Sequence, residues 1–311
     1  MGMPLVLVTS KRFVDHVTPA GHPERPERAG ALQAVAASFK EQGGEVIEPR
    51  SATDEDLLRV HTAEHVDAIV ATRGKAAMID EDTFTSPDSD DIARLAAGAV
   101  LTGVDRALDG PAGSRALVLV RPPGHHAEAD RAMGFCLYSN IAVGAAYARS
   151  RGSARVAIVD YDVHHGNGTQ WIFYEDPTVL FVSSHQYPFY PGTGAQSERG
   201  RGPGLGYTLN IPLDAGAKDD EIESKYVDQV IPAVRAFKPD LLMISAGFDA
   251  HEMDPLGQLR MTSEGFGRLT KALVDLANEV CSGRVVLVTE GGYDLESLSA
   301  SLKAVIDACL P

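Results

Sequence analysis

Val156-Ala157-Ile158-Val159 runs directly into Asp160-Tyr161-Asp162-Val163-His164-His165-Gly166-Asn167-Gly168, and this junction decides the fold. A short apolar run without polar alternation reads as a strand buried on both faces. The abrupt change to Asp, His and Gly reads as the carboxyl end of that strand. The same kind of run recurs at 4–8, 116–120, 179–182, 207–211, 241–244 and 285–288. Between the runs lie helix candidates at 27–42, 92–108, 141–149, 219–237, 263–279 and 295–308, with apolar residues at i, i+3 and i+4. Strand alternating with helix predicts an α/β fold with a mostly parallel central sheet flanked by helices. No linker, composition shift or repeat divides the chain, so 1–311 is expected to form one domain.

Four more runs end as the first one does. After Val120 stands Arg121-Pro122-Pro123-Gly124-His125-His126, and after Val182 stands Ser183-Ser184-His185. After Ile244 comes Ser245-Ala246-Gly247-Phe248-Asp249-Ala250-His251, and after Val288 comes Thr289-Glu290-Gly291-Gly292-Tyr293-Asp294. Open α/β sheets bind ligands at the carboxyl ends of their strands. One site assembled from five strand ends accounts for this concentration of Asp, His and Gly.

Composition narrows the partners. The chain has 311 residues, 44% of them hydrophobic and 23% charged, which excludes a disordered, collagen-like or disulfide-stapled protein. Its net charge of −15 argues against direct nucleic-acid or anionic-membrane binding. Cys136, Cys281 and Cys309 form no CxxC pair, which fits a reducing compartment. No apolar run approaches the ~18 residues of a membrane helix. The opening Met1-Gly2-Met3-Pro4 lacks the features of a signal peptide, so the expected location is the cytoplasm.

Asp160, Asp162 and His164 are spaced i, i+2, i+4 and share one side of an extended chain. Acids and an imidazole converging in a buried place need a cation. Asp249, ending another run, supplies a further ligand. A histidine with two aspartates and an open position is a catalytic-zinc arrangement, and its oxygens also suit Fe(II), Mn(II) or Co(II). His125-His126 comes directly after Pro-Pro-Gly. Two adjacent imidazoles are not both protonated cheaply, so one is expected to stay neutral as a general base while the other carries charge. Asp160 and Asn167 are candidates to orient them. Tyr293, after Gly291-Gly292, is placed to donate to an oxyanion. His61 and His65, i and i+4 on an expected helix, lack the His-Glu-x-x-His order and are expected at the surface or rim. Asp80-Glu81-Asp82, with Asp88, Asp90 and Asp91, is expected to be a solvated face.

These segments resemble the histone deacetylase family, in particular its class II-like branch with bacterial deacetylases and acetylpolyamine amidohydrolases. The carrying motifs are His22-Pro-Glu-Arg-Pro-Glu-Arg28, Arg121-Pro-Pro-Gly-His-His-Ala-Glu128, Gly134-Phe-Cys136, Asp160-Tyr-Asp-Val-His-His-Gly-Asn-Gly-Thr-Gln170, Ser245-Ala-Gly-Phe-Asp-Ala250, Asp254-Pro-Leu-Gly257 and Glu290-Gly-Gly-Tyr293. The resemblance implies the arginase–deacetylase fold with zinc on Asp162, His164 and Asp249. It implies His126 as base and then acid, His125 as electrostatic partner, Asp160 and Asn167 as orienting groups, and Tyr293 as polariser of the acetyl carbonyl. It further implies a structural potassium ion at Asp160, Asp162, His164, Ser183 and Ser184. Gly134 and Phe135 would line a narrow acetyl-lysine tunnel, and Arg28 an internal acetate channel.

Two departures bear on substrate. Tyr190 stands where the family usually has Phe before the Pro of Pro191-Gly192-Thr193-Gly194, giving the second tunnel wall a hydroxyl. Leu256 stands where polyamine-selective relatives place Glu, so acetyl-lysine in proteins or peptides is the expected substrate. Small N-acetylated amines such as acetylpolyamines are the alternative. Assembly into a homo-oligomer is left open.

Overall fold

The computed structural model describes residues 4–310; Met1–Met3, most of the opening tetrapeptide, and Pro311 lie outside it. In chain order the elements are β1 (Leu5–Val8), α1 (Glu27–Glu41), β2 (Glu45–Ile47), α2 (Asp54–Leu57), α3 (Ala63–Val70), β3 (Ala77–Met78), β4 (Phe84–Thr85), α4 (Ser89–Asp109), β5 (Arg115–Val118) and α5 (Asn140–Ser150). Next come β6 (Val156–Asp160), α6 (Asn167–Ile172), β7 (Val179–Gln186), β8 (Thr208–Leu213), α7 (Asp219–Lys225), α8 (Ile231–Phe237), β9 (Leu241–Ala246), α9 (Ser263–Val280), β10 (Val285–Thr289) and α10 (Leu295–Cys309).

The central sheet has eight strands in the order β2-β1-β5-β10-β9-β6-β7-β8, and each pairing in it is parallel. β1, β5, β6, β7, β9 and β10 are buried along their whole length, as runs without polar alternation require. Side chains alternate between two cores. Leu5, Leu7, Ala157, Val159, Leu242 and Ile244 pack under α1, α9 and α10, while Val6, Val8, Val156, Ile158, Leu241 and Met243 pack under α4 and α5. Each Val, Leu, Ile or Met among them contributes roughly 1.5–3 kcal/mol when fully buried. This rigid α/β layer fixes where its strands end.

The structure corrects the sequence reading in several places. β7 continues to Gln186 because it pairs with β8 as far as Gln186↔Leu213, so Ser183, Ser184 and His185 lie within the strand rather than beyond it. The expected helix at 219–237 is α7 and α8 joined by a π turn at Tyr226–Val230. Pro232 has no N–H for an i→i−4 bond, and the wider turn accommodates that loss. A helix around His61 and His65 is found as α3, though it starts at Ala63. β2, the β3–β4 hairpin, α2 and α6 have no counterpart in the sequence reading, being too short for a periodic signal.

Candidate metal centre and active site

Three ligand atoms converge beyond the ends of β6 and β9. One atom from each of Asp162, His164 and Asp249 lies within 4.8 Å of the others, and all three residues are buried. Backbone amides aim the acids. His164 N donates to Asp162 Oδ1 (2.9 Å), Gly291 N to Asp162 Oδ2 (2.9 Å) and Val163 N to Asp249 Oδ1 (2.9 Å). His164 Nδ1 sits 3.2 Å from both Asp162 Oδ1 and Asp249 Oδ2. A Cβ on Gly247 would fall on the Asp162 carboxylate, and one on Gly291 on that of Asp249, so glycine lets the backbone close around both acids. Asp160, on the same side of the chain, turns elsewhere: its Oδ1 accepts from Asp162 N (3.1 Å) and its Oδ2 faces His125.

The donor set fits a divalent cation. Burial and the neighbouring Asp162 push Asp249 up to about 7. Burial alone would lower His164, yet the flanking carboxylates hold it up to about 10. Acids sealed from water in this way call for positive charge, which a metal ion meets. Two oxygens and an imidazole nitrogen suit zinc and also the harder divalent metals.

His125 and His126, with ring centroids 4.1 Å apart, are held in opposite states. His125 Nδ1 donates to Asp160 Oδ2 (2.9 Å), and its Nε2 lies 3.8 Å from Asp162 Oδ2. Burial opposes its charge, but Asp162 and Asp160 raise it well above the ordinary histidine range. His126 Nδ1 pairs with the neutral Asn167 Oδ1 (2.8 Å), and burial with the neighbouring His125 and His164 drives it well below that range. The two rings are therefore biased in opposite senses, His125 toward the charged form beside a carboxylate and His126 toward the neutral form beside an amide.

Tyr293 is buried beside these groups. Burial and then Asp249 raise its hydroxyl well above the usual phenol range, so it stays protonated. Asp254 Oδ2 accepts from Tyr293 N (2.6 Å) and Asp294 N (3.2 Å), and the Asp294 side chain caps α10. Arg28 lies over the Tyr293 ring at 5.1 Å and donates to Gly292 O (2.7 Å), Glu290 O (2.6 Å) and Glu24 Oε1 (2.9 Å). Glu24 also holds Arg121 through both carboxylate oxygens (2.8 and 2.6 Å). Sequence reasoning missed Glu24, and it missed the role of the Glu290 side chain. That carboxylate accepts from Gly124 N (2.6 Å) and His125 N (3.1 Å), tying the histidine loop to the tyrosine loop.

Around this floor stands an aromatic mouth. Phe135 meets Tyr293 edge-on at 5.8 Å and His22 at 4.7 Å. Its φ of +68° comes after Gly134 at +58°, and a side chain on Gly134 would collide with the His126 ring. Tyr190 stands perpendicular to His126 at 5.2 Å, and Phe189, not singled out in the sequence, stacks on His164 at 5.4 Å. Leu256, Pro255, His22 and Tyr293 share a cleft of about 840 Å³.

The mouth's loops are stapled from afar. Phe135 N donates to Thr83 Oγ1 (3.1 Å), and His22 Nε2 donates to Asp82 O (3.0 Å). His165 reaches Thr193 and Gln170, and His185 reaches Ser183 and Gly194 O, holding the Tyr190 loop from below. Ser184 Oγ pairs with Tyr226 (3.0 Å).

Two surface expectations are overturned. His61 and His65 are buried, and His61 precedes α3 rather than lying on it. His61 Nδ1 donates to Glu128 O (3.0 Å) and its Nε2 accepts from Ser139 N (2.9 Å), closing the loop that carries Phe135. Asp90 is also buried, because Arg73, Arg94 and the Tyr138 hydroxyl all bind it. Glu81, Asp88 and Asp91 are exposed as expected.

Comparison with known proteins agrees across the chain. A model described as the histone deacetylase domain matches residues 22–309. Histone deacetylase 15 of Arabidopsis thaliana is 44% identical over 301 residues, covering 93% of this chain and 53% of that protein. The chain thus spans about half the length of that relative. A probable deacetylase of Archaeoglobus fulgidus is 40% identical, covering 93% and 81%. A histone deacetylase-like amidohydrolase of Pseudomonas aeruginosa is 40% identical, covering 88% and 73%. The crystal structure of the HDA15 HD domain matches with a TM-score of 0.91 at 40% identity, covering 98% of this chain and 89% of that one.

Proposed function

We propose, from the premise that this chain belongs to the histone deacetylase family, that it is a metal-dependent amide hydrolase removing acyl groups from the ε-amine of acetyl-lysine. The observation that carries the reading is the opposed pair above the metal ligands: His125 Nδ1 against the Asp160 carboxylate (2.9 Å) and His126 Nδ1 against the neutral Asn167 amide oxygen (2.8 Å). Binding alone requires no free base, whereas amide hydrolysis requires one.

Asp162, His164 and Asp249 would hold the metal; the family is zinc-dependent in general. Bound there, a divalent ion supplies Lewis acidity toward a carbonyl oxygen and a water. The chain's own groups do the rest. His126, with its Nδ1 hydrogen on Asn167, offers Nε2 to take the water proton and then returns it to the leaving amine. His125, fixed by Asp160, sets positive charge beside the developing anion. The Tyr293 hydroxyl donates to the carbonyl oxygen as charge builds there. Gly134, Phe135, Tyr190 and Leu256 would line the path of the lysine side chain. We assign a structural potassium ion to Asp160, Asp162, His164, Ser183 and Ser184, a grouping supported by the register Asp160↔Ser183. The whole chain is read as one catalytic domain acting in the cytoplasm.

Hydrolysis of a fluorogenic acetyl-lysine peptide is the test. Turnover is expected to vanish on chelation, to return with metal, and to fall about 10²–10⁴-fold in His126→Ala. No turnover of any acylated amine by the metal-loaded protein would overturn the reading. A second substrate class has one structural argument: the Asp82 carbonyl binds His22 at the cleft (3.0 Å), which sets the acidic Asp80–Asp82 segment beside the mouth, where it favours a cationic amine. Competing acetylspermidine against the peptide separates the two by their kcat/KM ratio.

A further inference from the structure

We propose that Glu128 is the positioning residue that makes His126 a competent base, acting through the side-chain amide of Asn167. This rests on His126 being the base. The two ends of an amide do opposite things: the oxygen accepts and the nitrogen donates. Asn167 is buried at the start of α6, and the orientation of its amide is decided by its surroundings. Its Nδ2 faces Glu128 Oε1 at 2.8 Å, His126 O at 3.3 Å and Met133 Sδ at 3.4 Å, which are acceptors only. Of these, Glu128 is the short, charged partner.

With the nitrogen held there, Oδ1 must face His126 Nδ1 at 2.8 Å. Nδ1 therefore carries the ring hydrogen, and the Nε2 lone pair is left for the reaction. A reversed amide would put its oxygen against those acceptors and its NH₂ against Nδ1. The hydrogen would then move to Nε2, and the base would be gone.

Glu128 is itself fixed. Arg131 Nη2 donates to its Oε1 (2.8 Å), its N donates to Arg131 O (2.9 Å), and its carbonyl accepts from the buried His61 (3.0 Å). Gly168 lets α6 approach closely enough for the amide to reach; a Cβ there would strike the Ala127 carbonyl. An aspartate at position 167 would need no such partner, because both its ends accept. Having Asn there creates the need for a second group to choose which end faces the histidine, and Glu128 is that group.

The test uses steady-state kinetics of the full, metal-loaded chain on an acetyl-lysine peptide. Glu128→Ala is expected to lower kcat about 10- to 100-fold. KM should move less than about twofold, because only the base has changed. Glu128→Gln keeps an acceptor oxygen at the same reach, and kcat should recover to within about threefold. Asn167→Asp sets two carboxylates face to face and is expected to fall at least as far as Glu128→Ala. Adding Glu128→Gln to it supplies an amide donor, so the double variant should exceed the single by about tenfold. His126→Ala is the control. Unchanged kcat in Glu128→Ala, equal losses in the Ala and Gln variants, or additive losses in the double variant would overturn the proposal if His126→Ala is dead. Full activity of His126→Ala would instead sink the general-base assignment.

Discussion

The floor of the site and its mouth are built by different physics. On the floor, Asp160, Asp162 and Asp249 end or follow parallel strands buried on both faces, and main-chain amides of the same and of the adjoining strand-end loops (Val163 for Asp249, Gly291 for Asp162) aim their carboxylates. At the mouth, Phe135, Tyr190 and Leu256 sit on loops whose staples come from distant parts of the chain: Thr83, His165, Gln186. A floor of this kind changes only by losing chemistry. A mouth of this kind can change shape, charge or stability while the chemistry survives, and that separation gives a family of hydrolases room to vary its substrates.

The sharpest way to break the contrast is on the floor. Tyr293→Phe removes one hydroxyl and no staple, since Asp254 holds the Tyr293 backbone. It is expected to lower kcat about 10²–10³-fold with an unchanged melting temperature. Equal activity would mean that the carbonyl is polarised without Tyr293.

The mouth is expected to fail first on acidification. Burial, then the adjacent His65, pushes His61 down to about 3, whereas an unfolded histidine titrates near 6.5. The unfolded chain therefore takes up a proton that the folded one refuses. The stability is complete above about pH 7 and drains away as pH falls from 6.5 toward 3. At pH 5 the loss from this one group is about 2 kcal/mol. His16 and His185, both pushed down to about 4 chiefly by burial, act in the same direction. Urea midpoints at pH 7.5 and 5.0 measure the slope, and His61→Gln should flatten it. An identical slope would show that His61 is not refusing the proton.

The smallest effect belongs to the rim. Leu256→Glu places a carboxylate in the cleft beside Pro255 and Tyr293. One partly screened charge is worth about 1 kcal/mol to a cationic amine. Acetylputrescine should therefore gain up to about tenfold in kcat/KM relative to an acetyl-lysine peptide, with kcat on the peptide hardly changed. A falling peptide kcat would mean that the rim and floor are coupled.

The same division governs what the sequence reveals. Asp162, His164 and Asp249 are legible because each comes directly after an apolar run, and the sheet brings those run ends together. The His125–Asp160 and His126–Asn167 pairs are legible for the same reason. Glu24, Glu128, His61 and Glu290 are not, because each acts on groups remote in sequence and looks like an ordinary polar residue in its own segment. His61 and Asp90 mislead for a related reason: a buried ion pair or histidine staple carries the local signature of a solvated face. The elements missed are those of two to six residues, where periodicity has too few repeats to speak.

The sheet order has a consequence for synthesis. β10, the last strand to be made, lies between β5 and β9 near the middle of the sheet. A nascent chain lacking residues 285–289 therefore has two half-sheets with bare inner edges and no third strand to join them. It also lacks Glu290, Gly292 and Tyr293, and with them two of the three acceptors for Arg28, leaving only Glu24. Until β10 is added the chain presents open strand edges, and the sheet and the site close together when β10 pairs with β5 and β9.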